Sequence, residues 1–141
     1  MNNIDHFLLF EQLYKHSDKP SECLSTSFLN ERYDNEFGSS DLSGKWCIFS
    51  DTKSVDSLWQ KIKKSVKRGD FVCAKVSTKY GIGSHENHVI CVYTKSYEDI
   101  EDVKHTRQKL RKIGIVEEIG YKRDIDTKNK VYGDGEWYYR E

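Results

Sequence analysis

Net charge is the first thing this sequence does not have. Its 23 lysine and arginine residues meet 23 aspartate and glutamate residues, so the formal charge at pH 7 is zero. A balanced chain projects no global field toward nucleic acid or an acidic membrane, so recognition of a charged partner has to come from a local arrangement. Long apolar runs are missing too. No stretch approaches the roughly 20 residues that cross a bilayer as a helix. The opening residues, Met1 to His6, lack the basic region and apolar stretch of a signal peptide, so a cytoplasmic location is the expectation. The cysteines Cys23, Cys47, Cys73 and Cys91 are far apart and form no paired C-x-x-C, which argues against a zinc site. Cys47, Cys73 and Cys91 fall within predicted strands, where cysteine acts as a small hydrophobe. Neither a metal nor a cofactor is expected.

What is present suffices for one folded unit. The 141 residues bound a single domain with one real core, and a 13% aromatic fraction argues against disorder. Phe7, Leu8, Leu13 and Tyr14 predict a short amphipathic helix over about Asp5 to Lys15, ended by Pro20 and its polar surroundings. Asn30 to Ser43, largely polar and broken by Gly38, predicts a loop or loosely packed arm. Lys45 to Ser50 predicts a first strand. Ser54 is placed to cap a helix whose apolar stripe is Val55, Leu58, Trp59, Ile62 and Val66. Lys63, Lys64, Lys67 and Arg68 crowd its end, where cations complement the dipole, and Gly69 stops it. A second helix runs from about Tyr97 to Lys112, opened by acids, closed by bases and capped by Gly114, with Ile100, Val103, Leu110 and Ile113 facing a sheet. Val116 to Tyr121 and Trp137 to Arg140 predict the closing strands.

The sharpest signal is central. Phe71 to Ser77 and His88 to Thr94 are short, rich in β-branched residues and joined by a loop carrying Gly81 and Gly83, so they predict an antiparallel pair. Alternation sends Val72, Ala74 and Val76 to one face, and Phe71, Cys73, Lys75 and Ser77 to the other. A lysine in the middle of so apolar a strand is an anomaly that reaches a rim, pairs with an acid or lines a pocket. The expected architecture is α+β: a curved antiparallel β-sheet backed by helices on one face. Residues 1–42 form an N-terminal helix and polar arm, and residues 43–141 the α+β domain, one compact domain overall. Val72, Ala74, Val76, Ile90 and Val92 are expected to pack under the helices, while Cys73, Lys75, Ser77 and Tyr93 line the opposite, uncovered face, the candidate ligand site.

Several motifs also recur in order: Ser43-Gly44-Lys45-Trp46, Ala74-Lys75-Val76-Ser77, Val89 to Thr94, Gly114-Ile115, and Tyr121-Lys122-x-Asp124-x-x-Thr127 followed by Tyr132. Together they resemble the basophilic-leukaemia-expressed protein family, a domain family of unknown function in which some members carry a phosphothreonine-lyase label. The match covers roughly Ser43 to Arg140. That family is in turn similar in fold to the messenger-RNA cap-binding initiation factor 4E. The resemblance implies a curved antiparallel sheet backed by helices. By position Trp46 and Trp59 resemble that factor's core and partner-peptide tryptophans rather than its cap clamp, and Arg107 resembles a phosphate-contacting arginine. A recognisable aromatic cap clamp is not expected.

Three classes of function follow. The favoured one is binding of a phosphorylated ligand (a small molecule, nucleotide, RNA end or phosphopeptide) on the concave sheet face. Its candidate residues are Lys75, Ser77, Lys79, Tyr93, Arg107, Arg111, Lys122, Asp124, Tyr132 and Arg140, since cations and hydroxyls from different strands can converge on a phosphate. The second is β-elimination from phosphothreonine, which the family label implies, with Lys75 as base and His88 as acid, or His85 in its place. The third is a protein partner held by the Trp59 helix, for which solvent exposure of Trp59 discriminates. Against the ligand reading, Lys75 can pair with Glu117 or Asp124 as a structural ion pair, and Asp124 with Thr127 can make a turn or cap.

Overall fold

The computed structural model describes residues 16–129 and 137–141. The helix expected over Asp5 to Lys15 and the candidate Tyr132 lie outside the described residues. In chain order the elements are β1 (Phe28–Arg32), β2 (Gly44–Asp51), α1 (Val55–Lys67), β3 (Cys73–Ser77), α2 (Lys79–Ile82), β4 (Asn87–Thr94), α3 (Ile100–Lys112), β5 (Gly120–Arg123), α4 (Asp124–Lys128) and β6 (Tyr139–Arg140). The strands form one curved, unclosed sheet in the order β1-β3-β4-β2-β5-β6, with every pairing antiparallel. This is the α+β architecture that the periodicity implied.

The core lies between the sheet and the helices α1 and α3. Trp46 and Ile48 of β2, Ala74 and Val76 of β3, Ile90 and Val92 of β4 and Tyr121 of β5 meet Val55, Trp59, Ile62 and Val66 of α1 and Val103 and Leu110 of α3. Period two in the strands and period 3.6 in the helices bring these residues to one interface. The Trp46 indole also donates to the Val103 carbonyl at 3.0 Å, which fixes α3 on the sheet. Two helix ends close as the sequence indicates. Gly69 and Gly114 adopt φ of 89° and 104°, the left-handed region that a β-carbon disfavours.

Five local expectations are corrected. β3 begins at Cys73 rather than Phe71, so strict alternation does not reach back. Phe71 joins the helix-side core, and Val72 packs on the other face. Phe28–Arg32, expected within polar, arm-like sequence, is an edge strand, because pairing with β3 satisfies a backbone whose composition alone favours a loop. The strand expected over Val116 to Tyr121 starts at Gly120 instead. Arg107 donates to the carbonyls of Ile115 and Glu117, which holds that stretch out of the ladder. Ser54 sits at the α1 N-cap without a side-chain cap, and Asp51 instead accepts from the Ser54 N–H at 2.9 Å. Ile100, at the first position of α3, is half exposed rather than packed on the sheet.

Gly44 shows how tightly β2 and β5 approach. A β-carbon there would fall 2.1 Å from the Tyr121 hydroxyl, and that hydroxyl is held by Thr94 at 2.6 Å. Gly44→Ala should therefore destabilise the protein by about 2 kcal/mol, the cost typical of overpacking a core. Urea denaturation of the variant beside the native chain measures this, and an unchanged midpoint would show that the β2–β5 seam has slack.

Candidate functional site

The face turned away from the helices gathers the chemistry. In β2 the residues alternating with core-facing Trp46 and Ile48 are Lys45, Cys47 and Phe49. Register then sets their neighbours: Lys45 stands opposite Tyr93 of β4 and opposite Lys122 of β5, and Cys47 opposite Cys91. Lys75 of β3 stands opposite Cys91 on one side and Asn30 of β1 on the other. One row thus crosses five strands as Asn30, Lys75, Cys91, Cys47 and Gly120. Gly120 has a specific use there. A β-carbon at this position would lie 2.3 Å from the Trp137 ring, so its absence lets the indole settle onto the strand, 5.2 Å from the Lys122 ammonium and 6.3 Å from the Phe49 ring.

Electrostatics on this face are unusual. Lys45 and Lys122 are direct cross-strand partners, an arrangement that like charges disfavour. Asp124, at the start of α4, relieves it. Its carboxylate accepts from the Lys45 ammonium at 2.6 Å and from the Ser43 and Ser39 hydroxyls at 2.5 and 2.8 Å. Lys45 also donates to Thr127 at 3.0 Å. The ion pair is buried, its side chains 9% and 5% exposed. The motif residues Ser43, Lys45, Asp124 and Thr127, more than 75 positions apart in pairs, therefore form one cluster.

Lys75 differs. It is half-buried, and no carboxylate lies within ion-pair distance of it among the described residues. Its ammonium lies over aromatic rings instead, 4.3 Å from the centre of Phe28 and 5.9 Å from that of Tyr93. Such contacts are attractive but do not neutralise the charge. Beneath it the Cys47 and Cys91 thiols are cross-strand neighbours, and their interaction pushes the Cys47 thiol well up and, with help from Lys75 and Lys45, draws the Cys91 thiol down against its burial. Burial raises the Cys73 thiol, and it raises the Tyr93 hydroxyl far above its ordinary value.

The structure separates the proposed site residues. Lys75, Ser77, Tyr93 and Lys122 do share this face, with Asp124 at its margin. The Ser77 hydroxyl, however, accepts from the Val89 N–H at 2.8 Å and acts as a strand fixture. Lys79 is exposed on α2, and Arg140 pairs with Glu118 on β6 at 2.9 Å. Arg111 is exposed and donates to the Val116 carbonyl. Arg107 is placed otherwise than expected: its guanidinium is buried in the helix layer and donates to the carbonyls of Glu141, Ile115 and Glu117. His88 is also buried on the helix side, its Nδ1 2.7 Å from the Ser77 carbonyl, so the sheet itself separates it from Lys75. His85 is exposed beyond α2. Trp59 is 1% exposed within the core, which removes it as a surface anchor for a partner.

The face is also not uncovered. Cys47, Cys91, Ser77 and Tyr93 are all buried, with Phe37 and Trp137 packed over the cluster. Phe37 comes from the polar arm, which Asp124 ties down through Ser39. Lys45, Phe28 and Trp137 are the site residues that sequence reasoning missed. Alternation from Trp46 carries the signal for Lys45, whereas nothing local marks Trp137 as a residue of this face.

A double-mutant cycle measures the cluster. Asp124→Ala should cost about 3 kcal/mol by leaving Lys45 buried and unpaired, and Lys45→Met combined with Asp124→Leu should recover much of that loss. Additive losses in denaturant melts would contradict the coupling.

Among the described residues no helix is long and apolar enough to cross a membrane. The family model "Basophilic leukemia-expressed protein Bles03" matches residues 40–132. Similar solved structures include C. elegans eIF4E-3 in complex with the 4E-binding protein Mextli, at 14% identity and TM-score 0.64, covering 95% of this chain and 80% of that one. A schistosome eIF4E complexed with m7GpppA and 4E-BP is similar at 14% identity and TM-score 0.66, covering 99% and 81%. Ascaris suum eIF4E-3 with m2,2,7G cap follows at 14% identity and TM-score 0.60, covering 99% and 80%. At these identities the likeness concerns the fold.

Proposed function

The chain belongs to the Basophilic leukemia-expressed protein Bles03 family, and from that premise we propose that its concave sheet face binds a phosphorylated ligand of the nucleotide type. The observation that carries this reading is Lys75. A half-buried ammonium in mid-strand, among aromatic rings and thiols and without a carboxylate among the described residues, is matched by an anionic group arriving from outside. Lys45 and Lys122 add positive charge on the same face, and Asp124 offsets part of it. The rings of Phe28, Phe49 and Trp137 offer flat apolar surface beside those cations, which suits a base next to its phosphates.

The fold supports the same class of ligand. Solved eIF4E structures of similar fold are complexes with a cap analog, with m7GpppA and with an m2,2,7G cap. Trp46 and Trp59 are core residues here, so a clamp of two tryptophans does not form from them, and Trp137 is the described tryptophan on the concave side. Fold alone does not assign function, and the reading rests on the site. Elimination chemistry is less favoured, because Lys75 and His88 lie on opposite sides of the sheet.

Thermal shift with mononucleotides, dinucleotides, cap analogs and a phosphothreonine peptide tests the proposal. A ligand of the native state raises Tm by mass action, about 2.7 kcal/mol of stabilisation at a hundredfold excess over Kd. A nucleotide-dependent rise that Lys75→Ala abolishes, with the variant's unliganded Tm unchanged, is the expected result. A rise that persists in Lys75→Ala would place the ligand elsewhere, and a rise with the phosphopeptide alone would replace the nucleotide class.

A further inference from the structure

Register pairs the cysteines at the middle of the concave face. Cys47 of β2 and Cys91 of β4 stand directly opposite each other in an antiparallel ladder. Each alternates with residues of the helix-side core, Trp46 and Ile48 around Cys47 and Ile90 and Val92 around Cys91. Both side chains therefore project to the same side of the sheet, where they join one buried cluster. Residues opposed in this way have Cα atoms about 4.5–5.5 Å apart, and a disulfide joins Cα atoms about 4.4–6.8 Å apart. The two strands already hold the pair within bonding reach, and both thiols are free. Cys73 offers a contrast on the same face. It precedes Lys75 by two residues, and Lys75 is the residue opposite Cys91. That diagonal position lies about 7–8 Å from Cys91, outside disulfide reach.

The surroundings of the pair differ from those of a cysteine that only fills space. Lys75 is the cross-strand neighbour of Cys91 on β3, and Lys45 precedes Cys47 by two residues on the same face, with Lys122 across from it. Cations beside a thiol favour the thiolate, which is the form that reacts. The two sulfurs are also unequal. Interaction with Cys47, and then the charges of Lys75 and Lys45, draw the Cys91 thiol down against its burial, while interaction with Cys91 and burial hold the Cys47 thiol up. One thiol is thus suited to react first and the other to follow. Among the described residues no three His, Cys, Asp or Glu side chains are grouped as a metal ion would need, so the pair is better placed to bond to itself than to hold a metal.

We propose that Cys47 and Cys91 form a dithiol modification site at which a small hydroperoxide closes a cross-strand disulfide beneath Lys75. The oxidant is small because both cysteines are 5% exposed, with Phe37 and Trp137 packed against their cluster. In the first step the Cys91 sulfur attacks one peroxide oxygen. The O–O bond breaks, Cys91 becomes a sulfenic acid, and the leaving oxygen carries off the Cys91 proton as water when the oxidant is hydrogen peroxide. In the second step the Cys47 sulfur attacks that of Cys91. The S–S bond forms, the S–O bond breaks, and the departing hydroxide takes the Cys47 proton as a second water. Two electrons pass from the sulfurs to the peroxide. The inference does not depend on a phosphorylated ligand.

Peptide mapping of the full chain after exposure to hydrogen peroxide tests the proposal. Remaining thiols are blocked with N-ethylmaleimide in denaturant, and the chain is digested with trypsin without reductant. The expected product is the Cys47 peptide, residues 46–53, joined to the Cys91 peptide, residues 80–95, by a bond that dithiothreitol reverses. It should come from a chain that still runs as a monomer, with the Cys73 peptide, residues 69–75, recovered as its maleimide adduct. Cys73→Ser should leave the rate of linking unchanged. With its partner removed in Cys47→Ala, Cys91 should be captured as the sulfenic acid by dimedone, several-fold more than Cys47 is in Cys91→Ala. The digest of the native chain decides the matter even where a variant fails to fold. No linked peptide, a link from Cys91 to Cys73, links only between chains, or linking only once the chain is unfolded in urea would overturn the proposal.

Discussion

A lysine and an aspartate buried together hold the concave side of this protein in place. Lys45 sits in the central strand β2 directly opposite a second lysine, Lys122, and its placement there is tolerable because Asp124 meets it at 2.6 Å. Burial of that pair demands that its remaining lone pairs and N–H donors also be satisfied: the hydroxyls of Ser43 and Ser39 donate to Asp124, and that of Thr127 accepts from Lys45. Each of those bonds fixes a different segment. Ser39 and Ser43 bind the arm that carries Phe37 over the face, and Thr127 binds α4 to the strand. The ion pair is a weak source of net stability and a strong source of specificity, because any other placement of β5 and α4 leaves a buried charge alone.

The sheet then separates two kinds of work. Its helix-covered side is a packed core in which even polar groups are committed. Arg107 is spent on three main-chain carbonyls and His88 on the carbonyl of Ser77. The other side keeps groups whose chemistry is not used up. Lys75 lies over rings, and the thiols of Cys47 and Cys91 stand side by side beneath it. With Arg107 and His88 committed to main-chain carbonyls on the helix side and Lys75 without a carboxylate among the described residues on the other, the sheet keeps Lys75 and His88 too far apart for acid–base chemistry between them.

How much of this was legible in the sequence depended on the range of the signal. Helical period placed Val55, Trp59, Ile62 and Val66 on one face, and glycine after a run of lysines marked the end of α1, since both are decided within a few residues. Strand alternation put Lys75, Cys73 and Tyr93 on the face away from the helices. It failed at Val72, because β3 starts one residue later and alternation has no meaning before the ladder begins. The remaining misses are tertiary. Phe28–Arg32 becomes a strand through its pairing with β3, Arg107 turns inward to satisfy carbonyls of a loop, and Lys45 finds Asp124 from 79 positions away. The resemblance to the cap-binding factor implied phosphate contacts for Arg107, and only the packing shows that its donors are taken. Trp137 reached the site through the missing side chain of Gly120, a relation between two distant positions that no local pattern records.

The claim that the concave lysines are the anion-binding groups is most directly tested by following lysine side-chain resonances while a nucleoside diphosphate is added. The account predicts saturable shifts at the ε-methylenes of Lys75, Lys45 and Lys122, with Lys63, Lys64 and Lys67 at the end of α1 unmoved. Saturable shifts confined to the α1 lysines, with the three on the sheet unchanged, would contradict it.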